Sequence, residues 1–328
     1  ERCRDCICPQ KEEREQVSVI PRIFASTAWL IVGTFGLSII SKLGNGDTIK
    51  GYSVFAIVVA IVFIISTMIT CLNVKERVET SKNTEKVNFK QAINIIRKND
   101  QLVVFIGIVL PMNLVMQISG TMAIYYFRYV SGKESLFSVY QAFAGIAEIS
   151  GLILLPMLTK KIGRENVFKL GSILPIVGFL ILFVAGIIAP QNAIFIAIAG
   201  TVLKLGSGSL LGSTTIMLAD VVDYGEYKLG TRNESIVFSV QTLLVKGASA
   251  VAGWLVGVGL SLVGYVAGTT QTATTILGMK VIMIWIPIAC AIVMYAIYKS
   301  KYKINGKFHD KMLAELERRK SENIDNVM

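Results

Sequence analysis

The sequence has little of what soluble enzymes and nucleic-acid binders use. Histidine occurs once, at His309, and no His cluster is present. Charged residues make up 17% of the chain, against about 25% in a soluble globular domain. Deep paired carboxylates are absent as well, so neither a metalloenzyme nor an acid–base hydrolase is expected. The chain carries 33 basic and 22 acidic residues, a formal charge of +11, yet no basic patch has aromatics interleaved in it. That excludes nucleic-acid binding. Of five cysteines, Cys71 and Cys290 lie in or near apolar stretches and read as inert core thiols. Cys3, Cys6 and Cys8 form a C-x-x-C-x-C run with no fourth ligand nearby, so an unstructured end without metal is expected. Residues 1–16 are polar and charged, unlike a signal peptide.

What the sequence has in abundance is apolar length. Hydrophobic residues make up 53% and mean hydropathy is +0.60. They gather in runs of roughly 20 residues, the length a helix needs to cross a hydrocarbon core about 30 Å thick. Eight such runs cover 19–43, 52–73, 102–127, 139–158, 170–189, 193–222, 236–266 and 276–298. The expected fold is all-α, a polytopic membrane protein of about eight spanning helices. Between runs two and three, residues 89–97 place Phe89, Ala92, Ile93 and Ile96 at helical spacing, which predicts an amphipathic surface helix. Lys160–Lys169 reads as a basic loop, and the polar tail gains helical character around residues 311–320.

Lys and Arg are plentiful before run one, between two and three, between four and five, and after run eight. They recur as Lys228 and Arg232 between six and seven, and are sparse at 44–51, 190–192 and 267–275. This alternation puts both termini in the cytoplasm by the positive-inside rule, and requires an even number of spans.

Charges inside spans are costly and mark function. Arg22 lies early in run one, Glu148 in run four, and Asp220 and Asp223 close run six with Glu226 following. From position alone, Arg22 could instead snorkel to the headgroups, and Asp220 and Asp223 could form a solvated helix end. Lys246 lies about ten residues deep in run seven, too far to snorkel. Gln241, Thr242 and Ser249 share much of its face, so an aqueous cavity is expected there. Gly253-x-x-x-Gly257 is a small-xxx-small pattern that predicts close helix packing.

The segment ADVVDYGEYKLGTRNESIVFSVQTLLVKGASAVAGWLVGVGLSLVGYV, residues 219–266, resembles the last cytoplasmic loop but one and the eleventh helix of the glycoside–pentoside–hexuronide:cation symporters, a family of the major facilitator superfamily. Within it the likeness is to the sodium-coupled, melibiose-carrying members. EREQVSVIPRIFAS (13–26), KNDQL (98–102), AIYYF (123–127), LGMKVIMI (277–284) and YKING (302–306) extend it over nearly the whole chain from Lys11.

The resemblance implies a twelve-helix carrier of two six-helix halves, in which the eight runs are helices five to twelve. Residues 17–73 are then the remnant of the first half, 74–100 the cytoplasmic linker, 101–298 the second half and 299–328 a cytoplasmic tail. The chain reads as N-terminally truncated, a polar segment at 1–16 standing in front. The implied function is symport of a galactoside or melibiose-like sugar with sodium or a proton across the cell membrane, with no other cofactor. A non-transporting remnant or a sugar-sensing membrane protein is the alternative. The expected partners are the glycoside, the coupling cation and lipid, with the chain a monomer. Carried over, Arg22, Gln241, Thr242 and Lys246 are sugar-binding, Lys246 also serves cation coupling, and Asp220, Asp223, Tyr224, Glu226, Arg232 and Glu234 form a cytoplasmic gating network. Leu211 stands where those members have a tryptophan.

Overall fold

A computed structural model describes residues 11–45, 47–73 and 89–325, without the side chains of 11–22, 48, 89, 307 and 320–325. The Cys3–Cys6–Cys8 run and the Arg22 side chain fall outside the described residues. In chain order the helices are α1 (Lys11–Leu43), α2 (Thr48–Asn73), α3 (Phe89–Lys98), α4 (Asp100–Tyr125), α5 (Ser135–Ile188), α6 (Ala193–Leu229), α7 (Glu234–Leu262), α8 (Ala273–Lys280), α9 (Ile286–Lys301) and α10 (Gly306–Asp325). A π-helical turn, Tyr126–Val130, extends α4, and a second, Val281–Trp285, joins α8 to α9.

Seven of the described helices are long and apolar enough to cross a membrane, counting α8, its π turn and α9 as one. Among them, α5 has 54 residues, about 80 Å at 1.5 Å per residue and far more than one bilayer. It breaks at Gly163, whose φ of 81° and ψ of 157° no ordinary side chain adopts cheaply. The arms 135–162 and 164–188 are each a span, which makes eight. The basic loop expected at 160–169 is therefore helix on both sides of a single broken residue. Hydrogen bonding continues past the apolar runs because an unpaired backbone amide near lipid is expensive.

Similar extensions occur elsewhere. The sixth run continues through Leu229, where Gly230 (φ 73°) takes the left-handed cap. Residues 223–229, expected as loop, are thus the last two turns of α6. The seventh run ends four residues early, at Leu262. The surface helix α3 forms where its periodicity predicts, and the tail forms α10, longer than expected.

The core is built on α4, α5, α6, α7 and α9. Tyr126, Phe127, Tyr140, Phe179 and Met283 pack near one end, and Phe105, Phe168, Val221 and Tyr298 near the other. α1 packs on the first arm of α5, and α2 packs on α1. The α2 surface is apolar almost all round and exposed, with Ile57, Val62, Phe63, Ile64 and Ile65 uncovered, as suits a helix in hydrocarbon. Cys71, expected in a core, is exposed on this helix, while Cys290 is half-buried.

Two glycines bring α5 and α6 into backbone contact. A Cβ on Gly151 would collide with the Leu205 carbonyl oxygen, and one on Gly208 with the Glu148 carbonyl oxygen. Gly253 and Gly257 have open space where a Cβ would stand, so the small-xxx-small pattern of α7 mediates no packing in this structure. Gly208→Ala is accordingly expected to cost about 1–3 kcal/mol by overpacking and to lower the thermal unfolding temperature in detergent. Gly253→Ala, which meets nothing and gains helix propensity, should leave that temperature unchanged or slightly raised.

Candidate functional site

The α5–α6 contact has a chemical consequence. Glu148 is 13 residues into α5 and Lys204 is 11 residues into α6, so each lies about 15–20 Å from its helix start, near the middle of a bilayer. Gly208, one turn after Lys204, abuts the Glu148 backbone. The two side chains are thereby held side by side. Lys204 Nζ donates to Glu148 Oε2 at 2.8 Å, and the Ser26 hydroxyl of α1 donates to Glu148 Oε1 at 2.9 Å. The charged side chains are 16% and 10% exposed. At that depth an unpaired charge costs several kcal/mol, and pairing with added hydrogen bonds is what makes burial tolerable.

This pair lines a cavity of about 390 Å³ between α1, α4, α5 and α6. The volume falls within the usual range for small-molecule sites. α4 contributes Asn113, Gln117, Ser119 and Thr121, α5 contributes Tyr140 and Gln141, and α1 contributes Trp29, which is 65% exposed. Asn113 Nδ2 donates to the Val109 carbonyl and Ser119 Oγ to that of Val115. Gln117 and Gln141 have no hydrogen-bond partner among the described residues, so their amides are free for a ligand. Neutral amides, hydroxyls, an aromatic face and one internally compensated ion pair offer donors, acceptors and an apolar surface side by side.

The residues expected on α7 sit elsewhere. Gln241 is half-buried, Thr242 is exposed with its hydroxyl on the Phe238 carbonyl, and Lys246 is exposed. None lines this cavity. The buried face of α7 (Val237, Val240, Leu244, Ala248, Ala252) packs against α4, and the polar residues lie off it. The backbone of Arg22 lies in α1, one turn before Ser26.

The acidic signature at the end of α6 forms three clusters rather than one. Arg232 Nη1 reaches Asp223 at 3.0 Å and Glu226 at 2.6 Å, and its Nε reaches Glu234 at 2.6 Å. Burial opposes the Arg232 charge, but the hydrogen bonds to Glu226 and Glu234 and the charge of Asp223 outweigh it and hold the guanidinium above its ordinary range. Asp220 pairs instead with Arg164 of α5 at 3.2 Å and with the buried His309 of α10 at 3.2 Å. Tyr224 donates to Asp100 of α4 at 2.8 Å, where Lys228 and Lys303 also gather. Asp220 and Asp223 are buried, not a solvated helix end.

The KNDQL segment now has a structural meaning. Asn99 caps α4 by accepting from the Leu102 amide and donates to the Val221 carbonyl of α6. Gln101 accepts from the Lys303 amide. These partners tie α4, α6 and the end of α9 together. Farther out, Glu315 of α10 is held down to about 2 by hydrogen bonds from Arg318 and Arg319.

Sequence reasoning named Glu148 without giving it a partner and missed Lys204 and Trp29. The signal for Lys204 was available: a lone lysine eleven residues into an apolar run meets the same depth criterion that singled out Lys246. Removing one partner of a buried pair exposes its worth. Lys204→Ala is expected to destabilise the fold by about 3 kcal/mol by stranding Glu148. Adding Glu148→Gln should recover most of the lost unfolding temperature.

The MFS/sugar transport protein family matches residues 6–306. The chain is 31% identical over 310 residues to the isoprimeverose transporter of Lactiplantibacillus pentosus, covering 94% of this chain and 64% of that protein. It is 27% identical to the raffinose carrier protein of Pediococcus pentosaceus, covering 96% of this chain and 50% of that protein. It is 28% identical to a putative sulfoquinovose importer of Salmonella typhimurium, covering 96% and 66%. The chain thus spans about half to two-thirds of the length of these relatives. An all-α, multi-pass membrane fold and a match along most of its length show that this chain belongs to the MFS sugar transporters, within the glycoside–pentoside–hexuronide:cation symporter family.

Proposed function

We propose that the protein moves a glycoside together with sodium or a proton across the cell membrane by alternating access, with both termini in the cytoplasm. The observation that carries this reading is the mid-membrane cavity, in which free amides, hydroxyls and an exposed indole surround one compensated ion pair. A sugar shedding its water needs donors and acceptors for each hydroxyl, because an unpaired buried polar group costs about 1–3 kcal/mol. Gln117, Gln141, Asn113 and Thr121 offer them, and the Trp29 ring offers a flat apolar face to the C–H side of a pyranose.

The family resemblance assigns sugar contact to Arg22, Gln241, Thr242 and Lys246, and cation coupling to Lys246, on a surface apart from this cavity, which Gln241, Thr242 and Lys246 do not line. An exposed Lys246 at mid-bilayer depth needs an acid or an aqueous cavity opposite it. Access would alternate as helix groups rock about the central site. The Arg232–Asp223–Glu226–Glu234 and Asp100–Tyr224–Lys228 clusters would hold the cytoplasmic ends of α4, α6 and α7 as one rigid block in that motion.

Uptake of labelled galactosides into membrane vesicles, with and without inward sodium and proton gradients, tests this. One of the gradients is expected to raise accumulation several-fold, and Trp29→Ala to reduce it about tenfold. Accumulation indifferent to both gradients would overturn the reading. Sugar binding without accumulation would assign the chain to sugar sensing instead.

A further inference from the structure

The charge of the cavity wall carries an inference about which sugars enter. The described residues around it hold one cation, Lys204, and one anion, Glu148. The anion is fixed. Ser26 donates to one carboxylate oxygen and Lys204 to the other, and the side chain is 10% exposed, so it cannot swing aside. The cation is already spent on that carboxylate. A sugar bearing a carboxylate or sulfonate would therefore approach Lys204 only by also approaching Glu148. In a site of low dielectric that repulsion is far stronger than in water.

For a neutral sugar the same pair is an asset. Lys204 has three donors and one is used, and each Glu148 oxygen keeps an acceptor site beyond the bond it already receives. Two neighbouring hydroxyls, one donating to Glu148 and one accepting from Lys204, would insert at the edge of the pair without breaking it. Hydrogen bonds to charged groups are the stronger kind, so this edge contributes affinity as well as selection.

We propose that the Glu148–Lys204 pair is a selectivity element that admits uncharged glycosides and rejects uronides and sulfonated sugars, with Glu148 as the excluding residue. The proposal rests on the transport reading given above and deepens it. It also separates this chain in chemistry from a sulfoquinovose importer, whose named substrate is a sulfonated sugar, though both share the family.

Competition against a bound labelled galactoside, by methyl galactoside and by methyl glucuronide, reads this in the full chain in vesicles. The unsubstituted protein should bind the galactoside at least tenfold more tightly than the glucuronide. Glu148→Gln, which frees Lys204 as an uncompensated cation, should improve the glucuronide about tenfold relative to the galactoside. If that variant folds poorly, Glu148→Gln with Lys204→Gln buries no charge. It should bind the neutral sugar about tenfold more weakly and discriminate against the glucuronide less than the unsubstituted protein does. A glucuronide preference in the unsubstituted protein, or a ratio unmoved by Glu148→Gln, would overturn the proposal and leave sugar transport standing. Binding of neither sugar would remove the transport reading and this proposal with it.

Discussion

A charge placed in hydrocarbon must find its opposite, and the helix arrangement follows from that requirement. Glu148 and Lys204 sit near the middle of their spans, where neither reaches water by extending its side chain. They can be tolerated only if α5 and α6 approach closely enough for the two to touch. Gly151 and Gly208 permit that approach by removing the side chains that would keep the backbones apart. Ser26 then brings α1 to the same carboxylate, so one buried acid fixes the relation of three helices. The cavity is the space these helices and α4 leave between them.

The same requirement organises the helix ends around Asp100, Asp220 and Arg232 in a more polar medium. There the charges are more numerous and the pairs more open. Arg232 serves three carboxylates, Asp100 collects a tyrosine and two lysines, and Asp220 joins α5 to the tail helix through Arg164 and His309. Partly exposed pairs contribute little each, but clusters that share a hub hold their helices in register. The described partners lie on α4 to α10 and their connections, which suits a block that moves as one.

The spans were legible in the sequence because a run of apolar residues has no other use at that length. Helix α3 was legible for the same reason, its period matching one buried face. The connections were not. Lys160–Lys169 looked like a loop because it is basic, yet charge does not stop a helix at a membrane surface, and the backbone turns only at Gly163. The α6 signature looked like a loop for the same reason, and its end is set by Gly230.

The site was half legible. The signature acids and Arg232 were found from the resemblance, and Glu148 from its depth. What no single sequence shows is which charges on separate helices meet, because Glu148 and Lys204 stand 56 positions apart, with the Gly163 break and a turn between them. A structure of the protein with a bound glycoside tests the central claim most directly. The account predicts sugar hydroxyls within hydrogen-bond distance of Lys204 and Glu148, with the Trp29 ring against the pyranose face. A sugar held by Gln241, Thr242 and Lys246 and clear of the Glu148–Lys204 pair would contradict it.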